Sequence, residues 1–289
     1  MKNVAFIGIG LMGFPMAKNL LKNGYNVSVF DKELYKAKRL SKYGASISKS
    51  LKDVIKNSEV IITMVTDDKS VMSIINNKDF INNLGNNSIM IDMSSTKPIT
   101  SQKAKKFLKE KGVDFLDAPV SGGTKGAEEA SLAIMVGGNQ KVFDKVKKIF
   151  KIMGNAKIVG PTGSGQVAKL ANQIIVGVSI GAVAEAIHLC KISGTDPLKF
   201  MKAVEGGFAD SNILRIHGKK MIKKNFSPGG TNLIQFKDMK NILDTSKNFN
   251  LPISNLVKKM YRNLIKSGHA KKDHSSLYIQ IEELNKEIK

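Results

Sequence analysis

Residues 4–13, VAFIGIGLMG, decide the fold of the first half of this chain. A short apolar run, Val4–Ile7, leads into Gly8-Ile-Gly10-Leu-Met-Gly13, and a helical pattern follows over Met12–Lys22. In such a strand–turn–helix the first glycine permits a tight turn, the second lets the backbone approach a pyrophosphate, and the third lets helix and strand pack closely. The helix N-terminus adds N–H groups and partial positive charge for the phosphates. The motif therefore predicts a dinucleotide site.

The end of the second candidate strand indicates which dinucleotide binds. This strand, Asn26–Phe30, is followed by Asp31. A carboxylate at that position accepts hydrogen bonds from the adenosine ribose hydroxyls and repels a 2′-phosphate. The sequence therefore favours NAD(H), while the adjacent Lys32 leaves NADP(H) open as the alternative.

The rest of the first half continues the alternation of short apolar strands and helical patterns that is typical of a parallel sheet with crossover helices. The further candidate strands are Val60–Met64, Ser88–Ile91, Asp114–Leu116 and Ala133–Val136, and the further candidate helices are Ile99–Lys111 and Lys141–Met153. We therefore predict an α/β fold whose N-terminal part, residues 1–162, is a Rossmann-type doubly wound sheet that binds the dinucleotide.

From about residue 163 the sequence has helical periodicity only. The stretch Gln166–Ile192 is apolar and rich in small residues over about seven turns, which is longer than an average helix. Shorter candidate helices follow at Leu198–Glu205, Ile213–Lys224, Leu233–Lys247, Ser254–Lys266 and Ser275–Lys286. We predict that a long helix joins the sheet to an all-α C-terminal domain, residues 163–289, which serves substrate binding and dimerisation.

The composition is that of an ordinary globular protein, with 289 residues, 42% of them hydrophobic and 24% charged. The single cysteine, Cys190, cannot form an internal disulfide, and the first residues lack the long apolar region of a signal peptide. The apolar stretch Leu170–Leu189 is interrupted by Asn172, Gln173 and Glu185, which makes it too polar for a membrane span. We expect a cytoplasmic protein without a membrane partner.

The net charge of +22 does not by itself indicate a nucleic-acid-binding protein. Such a protein gathers its basic residues on one surface, together with aromatic residues or a known module. Here the lysines are scattered through nearly every segment, aromatic residues are only 6%, and tryptophan is absent. We expect no nucleic-acid partner, although a positive field would attract an anionic substrate and a diphosphate cofactor.

A second cluster, Leu116-Asp-Ala-Pro-Val-Ser121-Gly122-Gly123, follows a candidate strand. A hydroxyl and unobstructed amide donors at Ser121, Gly122 and Gly123 suit a carboxylate pocket. A plain glycine turn explains the same spacing equally well. The surroundings of Ser121 are not those of a nucleophile elbow. The four histidines and Cys190 lack metal-ligand spacing, so no metal site is expected.

The third cluster, Gly163-Ser-Gly165-Gln-Val-Ala-Lys169-Leu-Ala-Asn172-Gln173, places a lysine on an apolar helical stretch. Desolvation disfavours a buried charge, so such a lysine is either functional or extends to solvent from the helix edge. Asn172 and Gln173 lie three and four residues further on, so at least one amide shares its face. A lysine with a lowered pKa beside neutral amides suits acid–base chemistry on a carbonyl or hydroxyl. A fourth cluster, Phe236-Lys237-Asp238, lies on a later candidate helix.

Taken together, these clusters resemble the 3-hydroxyacid (β-hydroxyacid) dehydrogenase family. The resemblance covers essentially the whole chain through GIGLMGFPMAKNLL, IDMSS, LDAPVSGG, GSGQVAKLANQ, FKDMKNILD and DHSSL. It implies an NAD(P)-dependent oxidoreductase that interconverts a small carboxylate-bearing aldehyde and its hydroxy acid. KLANQIIVG, EGGFADSNIL and DTSKNFNLP look closer to the reductases of tartronate semialdehyde (2-hydroxy-3-oxopropionate), and 3-hydroxyisobutyrate or another short semialdehyde is the alternative substrate.

The resemblance also implies roles for individual residues. Lys169 would be the catalytic residue, assisted by Asn172 or Gln173, and Ser121, Gly122 and Gly123 would bind the substrate carboxylate. The cofactor would contact Gly8, Gly10, Leu11, Met12, Gly13, Asp31, Val65, Thr66, Ser95 and Lys237. Many members have asparagine where this chain has Gln173 and Leu-Pro where it has Val65-Thr66. The first departure leaves open which amide assists Lys169.

Two other function classes fit parts of the sequence. A catalytically silent relative could serve as a scaffold or as a nucleic-acid-associated module, and salt-sensitive DNA binding without NADH oxidation would indicate it. A decarboxylating dehydrogenase of a sugar phosphate would release carbon dioxide, but no compact Arg/His phosphate clamp is evident. We also expect a homodimer or homotetramer, because the long apolar helix suits an interface.

Overall fold

The computed structural model describes residues 1–286, which divide into two compact units. The first unit is Met1–Lys169 and the second begins at Leu170, inside the long helix Ser164–Ile192. The predicted domain boundary, residue 162/163, lies just before this helix.

The first unit is built on a nine-stranded sheet. Its order is β3-β2-β1-β4-β5-β6-β8-β7, with β9 paired to β8. The strands are β1 Asn3–Ile7, β2 Asn26–Phe30, β3 Ser46–Ile47, β4 Val60–Thr63, β5 Ile89–Asp92, β6 Asp114–Asp117, β7 Val120–Ser121, β8 Leu132–Gly137 and β9 Gly154–Gly160. Strands β1 to β6 pair in parallel, and the order reverses between β1 and β4, as in a doubly wound fold.

Helices cover both faces of this sheet. They are α1 Gly13–Lys22, α2 Leu34–Lys38, α3 Leu51–Ile55, α4 Asp68–Ile75, α5 Lys78–Ile81, α6 Pro98–Lys109, α7 Gly123–Glu128, α8 Gln140–Met153 and the start of α9 Ser164–Ile192. In β1, Val4 and Phe6 belong to one hydrophobic cluster, while Ala5 and Ile7 belong to another. Because successive side chains point to opposite faces, both faces of the sheet are buried.

The Rossmann-type sheet predicted from the sequence is confirmed, with one difference at its edge. The structure pairs β8 antiparallel to β6 and to β7, so the sheet is mixed rather than wholly parallel. The chain reverses direction between β7 and β8, in the connection that contains the short helix α7.

The second unit is helical, as predicted. It contains the rest of α9 together with α10 Pro197–Ala203, α11 Lys219–Ile222, α12 Asn232–Thr245, α13 Pro252–Leu264 and α14 Leu277–Leu284, and π-helical segments at Leu214–Gly218 and Ile265–His269. Its core gathers Ile180, Ala184 and Ile187 of α9 with Tyr261 of α13 and Tyr278 of α14.

The expectation that Leu170–Leu189 is too polar for a membrane span is wrong, because helix α9 is long and apolar enough to cross a membrane by length and composition alone. The core helix of a globular protein meets the same criterion. Its buried face packs into the core of the second unit, while less than half of its most apolar window is buried.

Candidate active site

The glycine-rich turn after β1 has the geometry of a phosphate cradle. Gly8 has a left-handed φ of +97°, and a side chain there would lie 2.3 Å from the Met64 carbonyl oxygen. A side chain at Gly13 would collide with the Gly8 carbonyl, so α1 begins in direct contact with the turn. At Gly10, in contrast, an added Cβ would meet nothing within 4 Å. The backbone is therefore open on the side where a diphosphate would lie, and within residues 1–286 no side-chain hydrogen bond caps α1 at Met12.

Asp31 lies beside this turn at the end of β2. Its Oδ2 accepts a hydrogen bond from the backbone N–H of Ile9 at 2.7 Å, and its Oδ1 accepts from that of Glu33 at 2.9 Å. These bonds fix the carboxylate next to the glycine-rich turn. Remaining lone pairs on both oxygens can accept from ribose hydroxyls. Leu11 is exposed and Met12 half-buried at the start of α1.

The loops after β4 and β5 are joined directly. Val65 donates its N–H to Ser94 Oγ at 2.9 Å, and a Cβ added at Gly8 would be 3.0 Å from Val65 Cγ1. Ser95 follows on the β5 loop and is half-buried, while Thr66 is exposed. Because β1, β4 and β5 are parallel neighbours, these predicted cofactor residues lie at the same carboxyl edge of the sheet.

A buried carboxylate at the end of β5 is hydrogen-bonded to residues next to these two loops. Asp92 ends β5, and its Oδ1 accepts from Thr63 Oγ1 at 2.8 Å and from Ser94 N–H at 3.1 Å. Its Oδ2 has no hydrogen-bond partner among the described residues. Burial raises the pKa of Asp92 to about 6, and the negative charge of the nearby Asp117 raises it further. The hydrogen bonds from Ser94 and Thr63 act in the opposite direction and lower the pKa.

Asp117, at the end of β6, holds the first turn of α9. Its Oδ1 accepts from Gly163 N–H at 2.7 Å, and its Oδ2 accepts from Gln166 N–H at 3.0 Å. Burial raises the pKa of this carboxyl, and the backbone donors oppose that shift. These N–H groups are among the first of the helix, which otherwise lack intrahelical partners.

Lys169 lies one turn further along α9 and is 8% exposed. A charged side chain this deeply buried needs compensating partners or a function. Lys169 is therefore held on a helix whose start is tied to the carboxyl ends of the strands. The same helix also contacts the loop that contains Ser95, because Gln166 is hydrogen-bonded to the backbone of Ser94 and Thr96.

The predicted carboxylate-binding residues form the turn between β7 and α7. Ser121 is half-buried, and Gly122 and Gly123 are exposed with φ values of +139° and +64°. Few residues other than glycine adopt either backbone conformation. A Cβ added at Gly123 would meet nothing within 4 Å, so the space beside its Cα is open.

In the second unit, Gln173 is bound to α12. Its Nε2 donates to Asp238 Oδ2 at 2.7 Å and lies 3.3 Å from Gln235 Oε1, while its Oε1 accepts from Asn172 Nδ2 at 2.9 Å. Asp238 also pairs with Lys237, whose Nζ lies 3.3 Å from Oδ1. The amide of Gln173 is thus committed on both sides. Asn172 is half-buried and retains an amide hydrogen and its carbonyl oxygen.

Three residues whose sequence spacing did not predict a contact lie close together in the structure. Ligand atoms of His217, Asp273 and His274 lie within 4.8 Å of one another. However, Asp273 Oδ2 already accepts from Lys220 Nζ at 2.7 Å and from Gly229 N–H at 2.8 Å. Because an ammonium group repels a cation, this arrangement is a structural ion pair rather than a ready metal site.

Two family models together match nearly the whole chain. The NAD-binding domain of 6-phosphogluconate dehydrogenase matches residues 3–163, and the NAD-binding domain of NADP-dependent 3-hydroxyisobutyrate dehydrogenase matches residues 163–281. The chain is 38% identical over 283 residues to 2-hydroxy-3-oxopropionate reductase of Escherichia coli (strain K12), covering 96% of this chain and 97% of that protein. The chain belongs to the 3-hydroxyacid dehydrogenase family. It is an oxidoreductase that acts on a CH–OH group with a nicotinamide cofactor.

Other proteins that are similar to this chain over nearly its whole length have names that give different substrates. NAD-dependent L-serine dehydrogenase of Pseudomonas aeruginosa is 31% identical, covering 95% of this chain and 96% of that protein. The structure of Mycobacterium tuberculosis 3-hydroxyisobutyrate dehydrogenase with L-serine superposes with a TM-score of 0.89 at 25% identity, covering 97% of this chain and 99% of the other. Relatives of this family therefore differ in the substrates that their names give.

Sequence reasoning did not assign a role to Asp92, Ser94, Asp117 or Gln166. All four lie within quoted motifs, IDMSS, LDAPVSGG and GSGQVAKLANQ. The available signal was a polar residue directly after a buried strand or inside an apolar helix start. Such a residue must find hydrogen-bond partners, but the sequence does not reveal which ones.

Proposed function

We propose that this dehydrogenase reduces tartronate semialdehyde (2-hydroxy-3-oxopropionate) to its hydroxy acid with NADH, and catalyses the reverse reaction. The observation that carries the proposal is Lys169, buried on a helix that Asp117 ties to the carboxyl ends of the strands. The whole-length identity to the Escherichia coli reductase supports this choice of substrate.

In the proposed mechanism, Ser121, Gly122 and Gly123 bind the substrate carboxylate through the hydroxyl and open amides. When bound, the nicotinamide supplies the hydride to the aldehyde carbon, or accepts it in the reverse direction. Lys169 donates a proton to the carbonyl oxygen as that oxygen gains charge, which completes the hydroxyl. The desolvated position of Lys169 strengthens this interaction in the transition state.

Asn172 is the amide that we assign to the substrate oxygen beside Lys169. Gln173 is unsuited to this role, because its amide is bonded to Asp238 and to Asn172. Gln173 instead links α9 to α12, where Lys237 pairs with Asp238. The resemblance to the 3-hydroxyacid dehydrogenases implies that Lys237 contacts the cofactor.

The preferred cofactor is NAD(H), because the Asp31 carboxylate beside the glycine-rich turn opposes a 2′-phosphate. NADP(H) is the alternative, favoured by Lys32 and by the 3-hydroxyisobutyrate dehydrogenase model, which describes an NADP-dependent enzyme. Initial rates with NADH and NADPH at equal concentration distinguish the two. A higher kcat/KM with NADPH would contradict the assignment to Asp31.

A second candidate is the oxidation of 3-hydroxyisobutyrate or a similar short hydroxy acid. It is favoured by the likeness to the Mycobacterium tuberculosis enzyme. The discriminating experiment measures NADH oxidation with tartronate semialdehyde, methylmalonate semialdehyde, succinic semialdehyde and glyoxylate. The highest kcat/KM should be that for tartronate semialdehyde. Carbon dioxide release in the oxidative direction would instead indicate a decarboxylating dehydrogenase.

Replacement of the proposed acid tests the mechanism. Lys169→Ala should lower kcat by ~10²–10⁴-fold, because the variant lacks the proposed proton donor. NADH affinity, measured by the fluorescence of the bound reduced cofactor, should stay near the wild-type value. Lys157→Ala removes an exposed lysine from the same unit and should leave both quantities unchanged. Near-normal turnover of Lys169→Ala would refute the assignment.

A further inference from the structure

Gln166 joins the helix that carries Lys169 to the loop that carries Ser95. The side chain is 0% exposed. Its Oε1 accepts from the Thr96 N–H at 3.0 Å, and its Nε2 donates to the Ser94 carbonyl at 2.8 Å. Both ends of one amide are therefore bonded to the backbone on either side of Ser95.

The chemistry of this clamp requires an amide. The loop presents a carbonyl oxygen at Ser94 and an N–H at Thr96, so its partner must donate at one atom and accept at the next. Among neutral side chains with adjacent donor and acceptor atoms, the carboxamides of asparagine and glutamine meet this requirement. A purely apolar side chain at position 166 would leave both backbone groups buried without partners.

The backbone of Gln166 is fixed as tightly as its side chain. Its N–H donates to Asp117 Oδ2, and neighbouring glycines allow the carboxylate to come this close. A Cβ at Gly165 would be 2.8 Å from Asp117 Oδ2, and one at Gly137 would be 2.6 Å from Asp117 Oδ1. Strand β8, the Asp117 carboxylate and the first turn of α9 therefore form one packed layer.

Gln166 and Lys169 are three residues apart on α9, so their side chains lie on adjacent parts of one face. A shift of the helix start that broke the clamp would also move Lys169 relative to Ser95. The rate of hydride and proton transfer depends steeply on the distance between the reacting groups. A misplacement of about 1 Å can lower the rate ~100-fold.

We propose that Gln166 is a positioning residue for hydride and proton transfer. It touches neither substrate nor cofactor in this assignment; it holds the Ser95 loop and the Lys169 turn as one unit. The proposal rests on the proposed roles of Lys169 and Ser95.

The test compares three variants of the full-length enzyme. Gln166→Met keeps the length of the side chain but removes both hydrogen bonds. Gln166→Asn keeps the amide and is one carbon shorter, so it remains available if the methionine variant fails to fold. Val146→Ala makes a cavity in the buried core at α8, away from the clamp, and controls for lost stability alone.

Hydrogen exchange in the cofactor-free protein reports the clamp without any need for turnover. In Gln166→Met, amides of residues 94–97 and 163–169 should exchange at least ~10-fold faster, because both segments lose the bond that holds them. Exchange in Gln166→Asn should lie between wild type and Gln166→Met. Val146→Ala should not raise exchange selectively in these two segments.

Kinetics with deuterated NADH report the positioning role. In Gln166→Met, kcat should fall ~10–100-fold, with KM and the Kd of NADH within about threefold of wild type. The primary isotope effect should rise, because the hydride step becomes rate-limiting. A merely structural residue would lower the unfolding temperature, as we expect of Val146→Ala, without this change in the isotope effect.

Unchanged exchange in both segments, or an unchanged kcat and isotope effect in Gln166→Met, would overturn the proposal. The same isotope effect in Val146→Ala would overturn it as well. If wild type oxidised neither NADH nor NADPH with any aldehyde, the proposed function would fall and the positioning role with it. Coupled exchange of the two segments would then still establish the mechanical link.

Discussion

Asp92 and Asp117 are acidic side chains buried at the ends of neighbouring strands. Each accepts hydrogen bonds from the loops above it, so each carboxyl group determines local loop geometry. Desolvation raises the pKa of both groups, and Asp92 is shifted to about 6. Loop geometry and protonation are therefore linked at this edge of the sheet.

Asp92 makes stability depend on pH. Because its pKa is raised from 3.8 to about 6, the folded state binds this proton more tightly than the unfolded state does. The contribution of Asp92 to the free energy of unfolding therefore falls as pH rises from about 4 to about 6, and is constant above that range.

Asp92→Asn removes this titration and keeps an Oδ1 acceptor for Thr63 and Ser94. Relative to wild type, the variant should gain free energy of unfolding on the order of 2 kcal/mol between about pH 4 and pH 6. Urea unfolding at several pH values measures this difference. Val146→Ala, which neither adds nor removes a titratable group, should give a difference that does not change with pH. A flat difference for Asp92→Asn would contradict the prediction.

At the residue scale, the sequence predicted those roles that depend on residue type and local spacing. Gly8 and Gly13 occupy positions where a Cβ would collide with backbone, which any strand–turn–helix of this kind demands. Asp117 and Gln166 could not be assigned in this way. Their partners are brought together by strand order and not by local spacing.

Among the elements, the strands with continuous apolar runs were predicted from the sequence. Strands β4 and β5 are buried at every position, which gives the uninterrupted pattern of an interior parallel strand. β9, Gly154–Gly160, was missed. It alternates half-buried and exposed residues and includes Asn155 and Lys157, because it pairs only with β8 at the edge of the sheet.

A different element-level link stabilises the second unit around Asp273. Its backbone N–H donates to the Phe226 carbonyl at 3.0 Å, and it forms an isolated bridge with Thr231 just before α12. Its Oδ1 accepts from Ser275 Oγ at 2.6 Å, and its Oδ2 pairs with Lys220 at 2.7 Å. Burial alone would raise the pKa of Asp273, but the hydrogen bonds from its partners lower it well below the ordinary value.

Asp273→Ala should therefore lower the free energy of unfolding at neutral pH by about 3 kcal/mol, because buried donors and Lys220 lose their acceptor. Since the pKa is lowered, this stabilisation is present above about pH 4 and is lost as pH falls below that value. Urea unfolding at pH 7 and at acidic pH measures both effects. Lys220→Met should cost less, since Lys220 is partly exposed. A loss below about 0.5 kcal/mol for Asp273→Ala would show that this cluster is not a stabilising link.

At the scale of the whole molecule, one face of α9 has the pattern of an interface. Residues at 4–3 spacing are exposed along its length, with Val178 half-buried among them: Ala171, Ile175, Ala182, Glu185, Leu189 and Ile192. The series is apolar apart from Glu185 and spans roughly 32 Å of helix. This spacing is the repeat with which two helices pack against each other. The α9 stripe, defined by these residues, is therefore suited to a second helix of the same kind.

We propose that a second copy of the chain covers the α9 stripe, as expected from the sequence for a homodimer or homotetramer. Two copies that each carry a net charge of +22 repel one another, so apolar contact must supply the attraction. Association should therefore strengthen as added salt screens the charge. Sedimentation should give a multiple of 31.5 kDa for wild type, while Leu189→Glu, which adds a charge to the stripe, should sediment as a monomer at micromolar concentration. Leu256→Glu, at an equally exposed position on α13, should associate like wild type. A monomeric wild type at high salt would exclude this interface.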